Sequence, residues 1–340
     1  MESSSPVLID KDNATLDLIT DLLSRNGGLQ AAMRLVIDPS IESWLERADR
    51  GLLEAKCQGG NRIVSSGEEP VPGRLGVLLA REELAIESDL HTALENGGLQ
   101  LHYQPILGVD GHIEGVEALM RCSANGRQIA PMSFVPVAEK TGLIVRLGEW
   151  SMLQSAFYAA RLQAQGIATK VAINVSRAQL TSPKFIQALH GALICANVAP
   201  ELIELELTES LFMDFSDTVQ NNLRSASKTG VGLAIDDFGT GFSCLANLKD
   251  LPATKLKLDR AFVCVLPEDR RALAVVKAMT QLARELGMIV VAEEVETQGQ
   301  LDALLQAGVD ATQGHLHARP MTDEDLLNWL LHRPEKRKTP

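Results

Sequence analysis

At 340 residues, 45% of them hydrophobic and 22% charged, the chain can bury one sizeable core and carry a smaller piece beside it. A net charge of −12 leaves no basic face for general binding of nucleic-acid polymers, the tail Lys336-Arg337-Lys338 being the one basic cluster. Five scattered cysteines (Cys57, Cys122, Cys195, Cys244 and Cys264) without a C-x-x-C pair exclude a disulfide frame and a zinc site, and point to a reducing compartment.

The N-terminal stretch MESSSPVLIDKDNATLD lacks the charged and apolar regions of a secretory signal, so a cytoplasmic location is expected. No apolar run approaches the roughly 20 residues a membrane span needs, so membrane insertion is not expected. Serine, proline and glycine punctuate Ser65-Ser66-Gly67-Glu68-Glu69-Pro70-Val71-Pro72-Gly73, which reads as part of a linker over 65–83. Residues 1–64 before it are too few for an independent domain to be assigned. Beyond it, apolar runs alternate with helical patterns. The expected strands are Leu99–Leu107, Gly115–Cys122, Val171–Ser176, Ile203–Thr208, Gly232–Asp237, Thr254–Asp259, Met288–Val295 and Asp310–Leu316. Expected helices between them include Glu149–Gln165, Ser182–Ala196, Phe215–Lys228, Arg270–Leu286 and Gln298–Ala307. Eight such units in about 250 residues have the size of an α/β TIM-type (β/α)8 barrel. A doubly wound open sheet is the alternative, but no G-x-G-x-x-G turn follows the first strand.

In a TIM barrel, reactive groups gather where strands end and the following loops begin. Glu117 ends the second expected strand, Asn174 the third, and Glu206 and Glu209 close the fourth. Asp236 and Asp237 close the fifth, just before Phe238-Gly239-Thr240-Gly241. Lys257 and Asp259 end the sixth, Glu293 the seventh and Gln313 the eighth. One polar strand end is usually a satisfied loop hydrogen bond; the same feature in seven consecutive strands is not explained by solvation.

Carboxylates converging on one pore mouth raise each other's pKa values unless cations sit among them. Oxygen donors from Asp, Glu and Asn suit hard ions such as Mg²⁺ or Mn²⁺, and the lack of clustered Cys and His argues against zinc. Neighbouring strand residues point to opposite faces, so Asp236 and Asp237 reach one site only where the strand breaks. The glycines of Phe-Gly-Thr-Gly are expected to supply that break. A carboxylate shared by two ions roughly 3.5–4 Å apart is the arrangement of two-metal phosphoester hydrolysis. Lys257 and Arg121 add fixed positive charge for phosphate oxygens.

These residues resemble the EAL domain of cyclic diguanylate phosphodiesterases, whose naming tripeptide is Glu117-Ala118-Leu119. Around it the chain reads LQLHYQPI, GVEALMR, FVPVAEKTGLI, VAINVS, LELTES, AIDDFGTGFSCL, LKLDRAFV, VVAEEVET and QGHLHARP, over about residues 84 to 333. The domain is assigned to 84–335. The resemblance implies a TIM-type barrel with an antiparallel first strand, and a homodimer through this domain. It implies that Glu117, Asn174, Glu206 and Asp236 ligate one metal, while Asp236, Asp237 and Glu293 serve a second. Lys257 would orient the attacking hydroxide, Gln313 would hold a metal-bound water, and Glu209 would brace the Asp-Asp-Phe-Gly loop beside these catalytic groups. Gln104, Arg121 and Asp259 are placed with the substrate. The implied reaction opens cyclic di-GMP to linear pGpG with Mg²⁺ or Mn²⁺. Ca²⁺ is expected to inhibit, because its looser coordination spoils two-ion geometry.

The chain departs from the family pattern at Cys122, usually tryptophan, at Glu294, usually glycine, and at His315 and His317 in place of Tyr and Phe. A glycine at position 294 would serve a backbone with φ above zero, and a glutamate there is expected to weaken the second metal site. These departures keep open a catalytically silent receptor or interaction module as the alternative function. His315 and His317 read as pocket lining or solvated residues, Glu204 as a packed or solvated charge, and Cys244 as packing. Leu205, Leu207, Leu256 and Leu258 are expected to face the helical shell. Ala48–Lys56 and Gly60-Asn61-Arg62 resemble the end of a GGDEF domain whose signature is absent. Residues 1–64 therefore read as a degenerate remnant or regulatory appendage, or else as a surface helix burying Trp44 and Leu45.

Overall fold

The computed structural model describes residues 74–209, 211, 216–239, 248 and 251–333. The chain divides into two compact units, Met1–Leu84 and Ala85–Pro340. The remnant expected over 1–64, the linker up to residue 73, the 336–338 basic cluster, Thr240, Gly241 and Cys244 lie outside the described residues.

Helix α1 (Arg74–Asn96) takes up residues 74–83 of the expected linker and turns at Gly97-Gly98 into β1 (Leu99–Gly108). Strand β1 pairs antiparallel with β2 (Ile113–Ala124), and a short β3 (Arg127–Ile129) extends that hairpin. Helices α2 (Pro131–Thr141) and α3 (Leu143–Ala164) lead to β4 (Lys170–Asn174). Then come α4 (Arg177–Leu180), α5 (Phe185–Ala196), β5 (Ile203–Thr208), α6 (Asp217–Thr229) and β6 (Gly232–Phe238). The remainder is β7 (Lys255–Leu258), α7 (Arg260–Val263), α8 (Arg270–Glu285), β8 (Ile289–Ala292), α9 (Gln298–Ala307), β9 (Ala311–Thr312) and α10 (Asp323–His332).

The strands neighbour one another in the order β1-β9-β8-β7-β6-β5-β4-β2, and β1 bonds to β2, closing an eight-stranded barrel. Strand β1 is antiparallel to both neighbours while the other barrel pairings are parallel, as expected for the first strand. The outward residues Leu205, Leu207, Leu233, Ile235, Leu256 and Leu258 are buried against helix residues such as Met152, Leu189, Leu223, Val276 and Leu304. Each such side chain contributes about 1.5–3 kcal/mol of burial energy, and their period of two fixes which face looks inward. Helix ends follow local chemistry: Ser216 caps α6 at Val219 N–H, and Thr297 and Gln300 form a capping box on α9. Ile86, Leu90 and Ala93 of α1 pack with Leu99, Cys122, Ile129 and Phe134, and Asp89 accepts from Asn125 at 3.0 Å.

The inward positions carry two kinds of residue. Gly115, Ala172 and Ala234 are small, and Ile106, Val291 and Ala311 form a separate apolar cluster. An eight-stranded barrel is only wide enough for side chains, so these small residues leave room for long charged ones. Near the N-terminal ends of the parallel strands, Lys255 Nζ lies 2.5 Å from Glu204 Oε1 and 3.5 Å from Glu114 Oε1. Glu204 is thus packed and paired, with Lys170 a further 3.7 Å contact. Replacing Lys255 with Met strands a buried carboxylate and is expected to cost about 3–5 kcal/mol in urea unfolding at pH 7. The double variant Glu204→Leu/Lys255→Met is expected to recover most of that loss.

Candidate active site

The C-terminal ends of the parallel strands open on a cavity of about 510 Å³ lined by Gln104, Glu117, Asn174, Asp236, Asp237, Glu293 and Gln313, among others. Glu117 does not end its strand: β2 runs on to Ala124 because the β1–β2 hairpin continues past the barrel wall and gains β3. It still faces the mouth, opposite Gln104 on β1. Both its oxygens are held, Oε1 by Asn174 Nδ2 at 2.7 Å and Oε2 by Gln313 Nε2 at 2.6 Å. Gln313 Nε2 also reaches Gln104 Oε1 at 3.0 Å, and Gln104 Nε2 donates to the Ala318 carbonyl at 3.0 Å.

Beneath this layer Lys257 is fully buried. Its Nζ lies 2.7 Å from Glu293, 2.9 Å from Glu206, 3.2 Å from Asp236 and 3.5 Å from Glu117. Asp259, the residue after β7, accepts from Ala261 N–H at 2.7 Å through Oδ1 and caps α7. Asp259 does not line the cavity. Its strand-end position also serves the helix start.

The strand break also differs from expectation. Asp237 itself adopts a left-handed φ of 54°, and the β6–β7 register shifts between Ile235 and Phe238. The bulge brings Asp236 and Asp237 to one side while β6 continues to Phe238. Gly239 follows at φ 100°, where a Cβ would collide with Phe262 and Met279. Glu209 Oε2 accepts from Gly239 N–H at 2.7 Å, tying the residue after β5 to the residue after β6. At the last strand, a Cβ on Gly314 would fall on the backbone of Val295, so only glycine lets the loops after β8 and β9 close together beside Gln313.

One lysine cannot neutralise this many carboxylates. Burial works against the charge of Lys257, but Asp236, Glu117, Glu206 and Glu293 hold its pKa well above the ordinary lysine value. Burial pushes Glu206 well above the carboxylate range despite Lys257, with Glu117, Asp236 and Glu293 adding to the rise. Burial likewise lifts Glu293 to about 8 and Asp237 to about 6, in each case with Asp236 raising it further. Glu117, though buried, is held below its usual value by Lys257 and by its amide donors. Carboxylate oxygens of Asp236, Asp237 and Glu293 lie within 4.8 Å of one another and could hold a metal ion. A crowded, under-neutralised set of hard oxygen donors fits Mg²⁺ or Mn²⁺.

Arg121 lines the cavity, while its neighbour Cys122 faces away into the α1 cluster. His315 also lines the cavity, whereas His317 bonds to Thr312 Oγ1 at 2.8 Å. Glu294 has φ 49°, the backbone for which glycine is suited. Its side chain pairs with Arg260 at 2.9 Å. Arg260 escaped the sequence reading, because it follows the strand end by two residues and no periodicity marks it.

An EAL-domain family profile matches residues 87–320. The chain belongs to the EAL family. It is 42% identical over 252 residues to the bifunctional diguanylate cyclase/cyclic di-GMP phosphodiesterase MucR of Pseudomonas aeruginosa, covering 73% of this chain and 37% of MucR. It is 34% identical over 249 residues to the cyclic di-GMP phosphodiesterase PdeR of Escherichia coli, covering 73% of this chain and 38% of PdeR. The chain thus spans well under half the length of these relatives. Among solved structures, the MucR phosphodiesterase in complex with c-di-GMP matches with a TM-score of 0.68 at 40% identity, over 71% of this chain and 99% of that one. The EAL barrel is therefore a shared architecture.

The raised carboxylates are expected to make the stability of the metal-free EAL domain depend on pH. A carboxylate whose folded pKa exceeds its unfolded value adds stability below the unfolded value, lost as pH rises through the folded one. The share of Asp237 is lost as pH passes from 3.8 through about 6, and that of Glu293 from 4.5 through about 8. The melting temperature of chelator-treated protein is expected to fall between pH 5 and pH 8.5. Millimolar Mg²⁺ or Mn²⁺ is expected to reverse the fall, since ions bind the ionised carboxylates.

Proposed function

We propose that this chain hydrolyses cyclic di-GMP to linear pGpG with two divalent cations, Mg²⁺ or Mn²⁺. The observation that carries this reading is the Asp236, Asp237 and Glu293 cluster at the mouth above the buried Lys257, in a chain similar to MucR and PdeR. Glu117, Asn174, Glu206 and Asp236 would hold one ion, and Asp236, Asp237 and Glu293 the other. When bound, the ions supply Lewis acidity towards the phosphodiester and hydroxide at neutral pH. Lys257 stays protonated and keeps fixed positive charge under the reacting phosphate. Gln313 commits its Nε2 to Glu117 and Gln104, and its buried Oε1, which has no hydrogen-bond partner among the described residues, is placed to accept from a water. Glu209 keeps the turn after Asp237 in place through Gly239. Gln104 and Arg121 contact the nucleotide. Water adds to phosphorus, the P–O3′ bond breaks, and the proton leaves with the 3′-oxygen.

The protein is further proposed to work in the cytoplasm as a homodimer through the EAL domain, with residues 1–64 as a regulatory appendage. Among the described residues, no helix is long and apolar enough to cross a membrane.

Incubation with cyclic di-GMP and Mg²⁺ or Mn²⁺, followed by chromatography of the nucleotides, is expected to yield pGpG; Ca²⁺ is expected to inhibit. Full turnover in excess chelator refutes the two-ion reading, and binding without cleavage supports a silent receptor instead. Glu117→Ala and Asp237→Ala are each expected to lower kcat by at least about 100-fold while the protein stays folded by circular dichroism. Light scattering at micromolar concentration is expected to report a dimer; a fully active monomer would exclude it.

A further inference from the structure

Two residues at the rim of the cavity have no part in the arrangement around Lys257. Arg260 Nη1 lies 2.9 Å from Glu294 Oε2, joining the start of α7 to the residue after Glu293. Both line the cavity, yet their side chains stay 60% and 52% exposed. An ion pair that open to solvent returns little stability. Glu294 meanwhile holds a left-handed backbone that is costly for any residue with a Cβ. A strained residue in a pocket wall, poorly repaid by its own contact, points to a role in binding.

The charge of the cavity says which role. Among the described residues, its carboxylates are Glu117, Asp236, Asp237, Glu293, Glu294 and Glu296, and its guanidinium groups are those of Arg121 and Arg260. Arg121 already donates from Nη1 to the Met120 carbonyl at 3.0 Å. A cyclic dinucleotide carries two phosphodiesters on opposite sides of one ring. Only one can sit at the Asp236, Asp237 and Glu293 cluster, so the second anion must be received elsewhere in a wall rich in carboxylates. A guanidinium has five N–H donors in a planar fork; Glu294 engages one end and leaves the others for phosphate oxygens.

We infer that Arg260 binds the second, uncleaved phosphodiester of the substrate, and that Glu294 is a positioning residue that aims Arg260 at it. The inference rests on the reading that the substrate is a cyclic dinucleotide. It separates one contact from the reaction centre, so it concerns affinity for the double anion and leaves the bond-breaking step untouched.

The test compares wild type, Arg260→Ala, Glu294→Ala and the double variant on cyclic di-GMP and on bis(p-nitrophenyl) phosphate, a phosphodiester with no second anion. For Arg260→Ala, KM for cyclic di-GMP is expected to rise about tenfold with kcat within about twofold, and the rate on the probe to stay unchanged. Glu294→Ala is expected to raise KM by about two- to fivefold, and the double variant no further than Arg260→Ala, because both act through one guanidinium. Because the Glu294 carboxylate is engaged by Arg260, the Mg²⁺ dependence of Glu294→Ala is expected to overlay that of wild type, in place of the weakened second metal site expected from sequence. An unchanged KM in Arg260→Ala, an equal loss on both substrates, or a shifted Mg²⁺ midpoint in Glu294→Ala overturns the inference. If wild type binds cyclic di-GMP without cleaving it, the hydrolase reading fails alone. The same comparison then passes to Kd by calorimetry, where an unchanged Kd in Arg260→Ala, or no binding by wild type, overturns the inference.

Discussion

Lys257 has four carboxylates within 3.5 Å and no exposure to solvent, in a barrel whose bore holds side chains and little else. Water cannot screen the surplus negative charge there, and the carboxylates cannot move apart, because each is fixed to a different strand of a closed sheet. The surplus is relieved either by protons, as the raised Glu206 and Glu293 show, or by cations entering from the mouth. The small inward residues, the amide grip on Glu117 and the bulge at Asp237 all serve to hold this imbalance in one geometry.

The second ionic group of the bore makes the contrast plain. Glu204 and Lys255 sit two residues before Glu206 and Lys257 on the same strands, with the same inward parity. There a buried carboxylate meets a buried lysine at 2.5 Å, and Glu114 and Lys170 balance each other around them. The lower group is close to electroneutral and needs nothing from solution. The upper group is not, and that difference in stoichiometry separates a structural ion pair from a site built for ions.

Much of this was legible in the chain itself. The alternation of Leu205 and Leu207 with Glu204 and Glu206 gives both the strand and its facing, and polar residues at successive strand ends mark one mouth. What failed was local. Glu117 reads as a strand end, yet the hairpin to β3 carries β2 onward, a pairing no periodicity shows. Asp259 reads as a site residue by position, and its added role as the cap of the helix that begins at the next residue is one no strand pattern shows. The break at Asp237 was assigned to the glycines after it, although an aspartate tolerates a left-handed backbone. The partnership of Arg260 with Glu294 joins residues 34 positions apart and depends on two loops meeting.

The reversal of β1 has a mechanical consequence. In a strand running with its neighbours, the chain enters at the far end of the barrel from the mouth. Here α1 passes over the Gly97-Gly98 turn into the end of β1 that carries Gln100, opposite Arg121 of the cavity wall, and four residues later reaches Gln104. Helix α1 is also fastened to the β2–β3 hairpin through Ile86, Leu90 and Asp89. A torque on α1 is therefore transmitted to the catalytic rim over a lever only a few residues long, without having to cross the rigid bore.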